Sequence, residues 1–241
     1  MFFSIITVCY NCRAEIEPTI RSVLSQSISD YEYLIIDGAS GDGTAEIAKE
    51  YADNHSHVSL VSEPDNGIYD AMNKGVRFAK GDYILFMNAG DTFYSDTVLE
   101  SAKKIIEKDR ADIYYGDVIK EGSVVRQNQK LTRFRLVYME RMLCHQSIFA
   151  KSNQWNEQPF DLNLKICADR EWLVERIQEK ASTRYMPNLI VCDYDTTGVS
   201  SNFSAYQGDS LKIARKHGGN KAVLFVKVKR AVGKLFGHNY V

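Results

Sequence analysis

Four short stretches of the chain concentrate side chains able to hold hydroxyls, a base or a metal ion. They are Cys9-Tyr10-Asn11, Asp37-Gly38-Ala39-Ser40-Gly41-Asp42, Glu63-Pro64-Asp65-Asn66-Gly67 and Asn88-Ala89-Gly90-Asp91. Carboxylates only accept hydrogen bonds, amides donate and accept, and glycine lets a backbone approach a ligand closely. Each stretch alone is an ordinary polar loop. Four of them, each following an apolar run, point to one site. A further carboxylate, Asp169, opens the pattern ADREWLVERIQ. There it can cap a helix.

The apolar runs must position these groups. FFSIITVCY reads as a short strand buried on both faces, and YEYLIID, HVSLVS and DYILFM read as further strands. Helical patterns separate them. The third, which extends to Lys80 with Gly81 as its C-cap, carries Ile68, Ala71, Met72, Gly75, Val76 and Ala79 on one face. The small Ala71 and Gly75 let that face sit close to a sheet. This alternation predicts an α/β fold with a mostly parallel, Rossmann-like sheet. Ligands of such sheets bind at the carboxyl ends of strands, where the strand order reverses. All four polar stretches fall at that edge. ADIYYGDVI, EGS and VVRQ read as a hairpin. Beyond residue 130 the pattern weakens, and an irregular second half is expected. The expected division is a domain over residues 1–210, split into halves 1–110 and 111–210, followed by a tail over 211–241.

Composition narrows the class. Of 241 residues, 44% are hydrophobic and 25% charged, as in ordinary globular proteins. Five scattered cysteines do not form a disulfide framework, which implies a reducing compartment. Cys9-x-x-Cys12 lies partly inside an apolar run, so chance spacing is the expectation. The N-terminus lacks a basic lead and a small-residue cleavage site, and there is no run of about 18 apolar residues. Neither a signal peptide nor a membrane span is therefore expected. No glycine follows the first strand, which argues against a dinucleotide fold, and no phosphate-binding P-loop motif is present. DGASGDGT lacks the ligand positions of a calcium loop.

The segments SIITVCYN, LIIDGASGDGT, EPDNGIYDAMNKG, GDYILFMNAGD and CADREWLVE resemble, in order and spacing, family 2 glycosyltransferases. These are inverting, nucleotide-sugar-dependent enzymes of the GT-A fold. The wording resembles the branch that builds bacterial surface polysaccharides such as O-antigen, capsule and colanic acid. The resemblance covers about residues 1–200 and implies roles for individual positions. Thr7 and Tyr10 match positions lining the nucleoside pocket, and Asp37 matches the carboxylate that accepts a bond from the uracil ring. Asp42 matches a turn aspartate. Asp65, Asn66, Tyr69, Asp70 and Asn73 are expected at the same edge as a wall of the donor pocket. The family's DxD metal motif corresponds to Asn88, Ala89, Gly90 and Asp91, where both DxD carboxylates are missing and Asp91 alone remains as an acidic ligand. Binding of Mg²⁺ or Mn²⁺ is thereby weakened. Met72 stands where many relatives have arginine. Asp169 matches the catalytic base, with Glu171 as fallback, and His145-Gln146 matches a polar pair that touches acceptor or diphosphate. Asp193 and Asp195 remain unassigned.

Charge is unevenly distributed. Residues 211–241 contain eight basic residues and no acidic one, whereas the whole chain is formally −1. Leu224, Val228, Ala231, Val232 and Leu235 recur at helical spacing, with Lys227, Arg230 and Lys234 to another side. That pattern predicts an interfacial helix on anionic lipid rather than a nucleic-acid contact. A helix docked on its own domain or on a partner is the alternative. The expected function is transfer of a hexose, UDP-linked, to a lipid-linked saccharide at the cytoplasmic face of a bacterial plasma membrane. A sugar-phosphate nucleotidyltransferase would need a glycine- and arginine-rich loop after the first strand, which CYNCRAEIE lacks. A non-catalytic nucleotide-sugar-binding scaffold would not need Asp169.

Overall fold

The computed structural model describes residues 1–195 and 203–235. Strands β1 (Phe3–Cys9), β2 (Tyr31–Asp37), β3 (Val58–Ser62) and β4 (Tyr83–Phe86) alternate with helices α1 (Arg13–Leu24), α2 (Thr44–Asn54) and α3 (Ile68–Phe78). Then follow β5 (Thr92–Phe93), α4 (Val98–Lys108), the hairpin β6 (Ile113–Lys120) and β7 (Ser123–Val125), β8 (Ile148–Lys151), α5 (Ala168–Gln178), β9 (Thr183–Asp193) and α6 (Phe203–Leu235). The described strands form one sheet of order β3-β2-β1-β4-β8-β6-β9-β5, with β7 paired to β6. The first four strands pair in parallel, and β8 joins β4 and β6 antiparallel. The expected α/β fold is present.

The chain steps from β1 to β2 to β3 in one direction and then places β4 on the other side of β1. The strand order therefore reverses between β1 and β4. Their carboxyl ends, at Cys9 and Phe86, open on this switch point. Every residue of β1 and β4 is buried, as the unbroken apolar runs require.

Two units are distinguished. The first comprises Met1–Gln129, Leu143–Phe160 and Ala181–Asp195, and holds the whole sheet. The second comprises Lys130–Met142 and Asp161–Lys180, together with residues 203–235 of the described chain. A boundary near residue 110 was expected instead. Residue 110 lies within the first unit, where β6, β8 and β9 extend the sheet begun by β1–β4.

Local departures have physical causes. α3 ends at Phe78, and Gly81 is not its cap. A Cβ at Gly81 would lie 2.5 Å from the backbone of Phe3 and Ser4, so glycine there permits the close approach to β1. The expected close approach at Gly75 is found, because a Cβ there would lie 2.5 Å from Ile6 Cγ2. Cys9 closes β1 and Cys12 is the N-cap of α1, so the pair does bridge a strand end and a helix start. The Cys9 thiol is hydrogen-bonded with Cys12, and this bond holds the Cys12 thiol below the usual range.

Candidate active site

At the end of β2 the carboxylate of Asp37 is wholly buried. Its Oδ1 accepts from Ser40 Oγ (2.5 Å), and its Oδ2 from the Ser40 backbone N–H (3.0 Å) and Ser62 Oγ (2.6 Å). Asp37 thus fastens its own glycine turn to the end of β3. Asp42 accepts from the backbone and hydroxyl of Thr44 and from the Arg13 backbone N–H, tying the starts of α1 and α2 together. Tyr10 is exposed beside Gly38, where a Cβ would lie 2.6 Å from Asp65 Oδ2 and 3.1 Å from the Tyr10 ring. Tyr10, Gly38 and Asp65 therefore stand together at the carboxyl edge.

Several expected pocket residues lie elsewhere. Thr7 is fully buried, and its hydroxyl is engaged by Tyr33 Oη (2.8 Å) and the Met87 carbonyl (2.6 Å), so it binds the sheet together and lines no pocket. Asn73 clamps Phe160, donating to its carbonyl and accepting from its N–H, each at 2.9 Å. Tyr69 packs its ring on Phe160 at 5.4 Å. Both were expected off the buried face of α3. That helix has a second buried face, because the Phe160 segment covers it, and sequence spacing does not reveal so distant a neighbour. Met72 is also fully buried. Asn66 and Asp70 do remain at the helix start, where Asp70 Oδ2 accepts from the Asn66 backbone and side chain. Asp65 Oδ1 accepts from the Gly67 N–H at 2.8 Å.

The switch point gathers a tighter cluster. After β4 the chain turns through Asn88, Ala89, Gly90 (φ +97°) and Asp91. Thr19 of α1 pins this turn, donating to the Asp91 carbonyl (2.8 Å) and accepting from the Gly90 N–H (3.1 Å). The Asp91 carboxylate is buried. Its Oδ2 accepts from Gln146 Nε2 (2.5 Å) and its Oδ1 from the Asp195 N–H (2.9 Å). Burial pushes its pKa up to about 6, against the pull of Gln146 and Asp195. Asn88 Nδ2 lies 2.8 Å from His145 Nε2, while the buried Asn88 Oδ1 has no hydrogen-bond partner among the described residues. An orphaned buried oxygen is costly unless something occupies it. Gln146 was expected against acceptor or diphosphate; its amide instead holds Asp91. His145 does reach the cluster. Thr19 was missed, and Asp195 was left without a role. Thr19 gives no signal within its helical pattern, and Asp195 shows only as an acid after a strand.

The oxygen donors here fit a hard divalent cation, which takes amide and carboxylate oxygens and keeps several waters. A different group of candidate ligands, Glu171, Glu175 and His217, occurs in the second unit. There Lys216 Nζ already lies 2.8 Å from Glu171 and 3.2 Å from Glu175 and supplies the positive charge.

In the second unit Asp169 stands in the first turn of α5, buried, with Oδ1 accepting from the Arg170 N–H (2.8 Å). Arg170 is buried behind it, donating to Ser210 Oγ (2.7 Å) and Tyr206 Oη (3.3 Å). Glu171, the fallback base, is engaged by Lys216 and His217 (3.3 Å), which hold its carboxyl below the usual range despite burial. It is therefore an ion-pair member and not a free base.

The glycosyl transferase family 2 model matches residues 4–170. A PGL/p-HBAD biosynthesis glycosyltransferase of Mycobacterium bovis is 34% identical over 204 residues, 83% of this chain and 79% of that protein. The uncharacterized glycosyltransferase EpsJ of Bacillus subtilis is 31% identical over 120 residues, 50% of this chain and 35% of that protein. Among solved structures, S. aureus TarS 1-349 in complex with UDP-GlcNAc superimposes with a TM-score of 0.72 at 18% identity, covering 98% of this chain and 73% of that one. A mannosyltransferase from Pyrobaculum calidifontis, in complex with GDP-Man and Mn²⁺, reaches 0.63 at 16% identity, covering 97% and 75%. Both share its GT-A fold. The nucleotidyltransferase and scaffold alternatives are set aside, because the chain belongs to glycosyl transferase family 2 and is a glycosyltransferase.

Proposed function

We propose that the enzyme transfers a hexose from a nucleotide sugar, UDP-linked, to a lipid-linked saccharide in bacterial surface polysaccharide synthesis, with inversion at the anomeric carbon. The observation that carries the donor half is the switch-point cluster of Asn88, Asp91, His145 and Asp195, with a buried oxygen that has no partner among the described residues. The bound UDP-GlcNAc of TarS, on the same fold, supports a UDP-sugar.

In this reading Asp169 takes the proton of the acceptor hydroxyl while that oxygen forms its bond to the anomeric carbon. The bond from that carbon to the nucleoside diphosphate breaks on the opposite face. Arg170, fixed by Ser210 and Tyr206, holds the start of α5 and hence the carboxylate. Tyr10, Asp65, Asn66 and Asp70 border the nucleoside, and His145 faces the diphosphate. Asn88 Oδ1, with the Asp91 and Asp195 carboxylates, would hold Mg²⁺ or Mn²⁺, which neutralises charge on the leaving group. The basic C-terminal helix meets an anionic membrane at its cytoplasmic face, where a lipid-linked acceptor resides. No described helix is long and apolar enough to cross a membrane.

Hydrolysis of a panel of nucleotide sugars, with and without Mn²⁺, tests the donor assignment. Turnover of UDP-sugars, enhanced by Mn²⁺, is expected. Preference for GDP-sugars would overturn the uridine assignment.

A further inference from the structure

α6 is two helical pieces meeting at Gly219 (φ +66°). The second piece has two opposed faces. Ala222, Val223, Val226 and Gly233 are buried, and Lys229 and Arg230 on the same side form ion pairs with buried Glu140. Arg230 was expected on a lipid-facing side; the structure instead uses it, with Lys229, to hold the helix to its own unit. The opposite face stays open. Leu224 is 64% exposed, Val228 52% and Val232 44%, each four residues apart, with Ala231 exposed beside them. The side chains of Lys234 and Leu235 lie outside the described residues. Docking on its own unit and presenting an apolar face are therefore not alternatives for this helix.

A second element extends this face. The π-helical turn Phe134–Tyr138 packs on α6. Phe134 is 52% exposed, and its ring lies 5.9 Å from that of Phe225, itself 40% exposed. Tyr138 lies 5.6 Å from Phe225 and stacks on Phe134 at 5.3 Å. Arg133 and Arg135 flank Phe134, and Lys221 and Lys227 flank the stripe; all four are exposed. Residues 130–142 contain one acid, Glu140, which is buried and paired, and residues 211–241 contain none.

We propose that the π-helical turn and the outer face of α6 form one preformed docking surface for an anionic lipid bilayer. Phe134, Phe225, Leu224, Val228 and Val232 enter the acyl boundary, while Arg135, Lys221 and Lys227 lie among the headgroups. This rests on the membrane reading above and adds an element that lies far before the C-terminal helix in the chain. Charge selects the occupant. An apolar stripe ringed by cations and free of exposed acids fits an anionic headgroup layer.

The full chain is sedimented with phosphatidylglycerol–phosphatidylcholine vesicles and with pure phosphatidylcholine vesicles. The wild type is expected to bind the anionic vesicles at least about tenfold more tightly. The double variants Phe134→Ser/Arg135→Glu and Val228→Ser/Val232→Ser are each expected to lose about tenfold or more. These side chains are exposed, so unchanged thermal unfolding and nucleotide-sugar hydrolysis serve as controls. If only the α6 variant loses binding, the composite surface is wrong although the helix still meets membrane. If the wild type ignores anionic vesicles, or self-associates through this face, the membrane assignment itself falls. Absence of nucleotide-sugar hydrolysis in the wild type would count against the donor reading alone.

Discussion

The first unit uses its carboxylates and amides to build loops, whereas the second buries its charges in pairs and leaves an apolar face open. Asp37, Asp42, Asp65 and Asn73 accept or donate mainly to their own surroundings. Glu140, Arg170, Glu171 and His217 form interior networks that fix α5 and α6. The lesson is that wording typical of a family marks architecture as often as chemistry. A residue can recur beside a site because it shapes the loop that forms it. Asn88 Oδ1 and the raised Asp91 stand apart in the first unit, because one lacks a partner among the described residues and the other resists ionisation.

Four experiments break or sharpen this contrast. The largest effect is expected from Asp169→Asn. Transfer should fall about 10²–10⁴-fold, as for loss of a general base, while calorimetric binding of the nucleotide sugar persists. Full activity would sink the proposed role of this residue.

Glu140→Leu strips Lys229 and Arg230 of their buried partner. Chemical denaturation should show a loss of about 3–5 kcal/mol, the range for removing one member of a buried pair. A change under about 1 kcal/mol would mean that apolar packing alone retains α6.

Asp91 gives a pH signature. Its value in the fold, about 6, lies above its ordinary 3.8, so the neutral form is favoured by folding. That stability is complete below about pH 4 and is lost as pH rises through 6, by roughly 3 kcal/mol for a shift of this size. Asp91→Asn should lack this slope in urea titrations between pH 4 and 7. Mn²⁺ should raise the melting temperature of the wild type above pH 6 more than that of the variant. Parallel pH profiles would show that Asp91 is ionised throughout.

The smallest effect belongs to Asn73→Ala. It leaves the buried N–H and carbonyl of Phe160 without partners, costing about 1–3 kcal/mol. Donor affinity should be unchanged once the protein is folded. A matching loss of affinity would return Asn73 to the pocket wall.

Much of the first unit was legible in the sequence, because unbroken apolar runs and 3.6-residue spacing are local signals. The runs located β1 to β4 and their carboxyl ends, and Gly75 was read correctly as a point of close packing. Gly81 was not, because its constraint comes from Phe3 and Ser4, nearly eighty residues earlier. Tyr69 and Asn73 were misplaced for the same reason, their partner Phe160 lying 91 and 87 positions away. The second unit was less legible. Glu140, Lys229 and Arg230 meet across about ninety positions. Helical spacing of the C-terminal apolar residues described the exposed face and gave no hint of the buried one.

By itself the sequence determined the alternation of strands and helices, the family, and the carboxylate that opens α5. Each is written in consecutive residues, where backbone geometry turns spacing into direction. Tertiary structure alone decided which polar groups are engaged and which are left over. It drew Gln146 and the Asp195 backbone onto Asp91, closed Ser40 and Ser62 on Asp37, and left Asn88 Oδ1 without a donor among the described residues. Hydrogen-bond satisfaction and desolvation depend on neighbours far away in the chain, and spacing does not carry them.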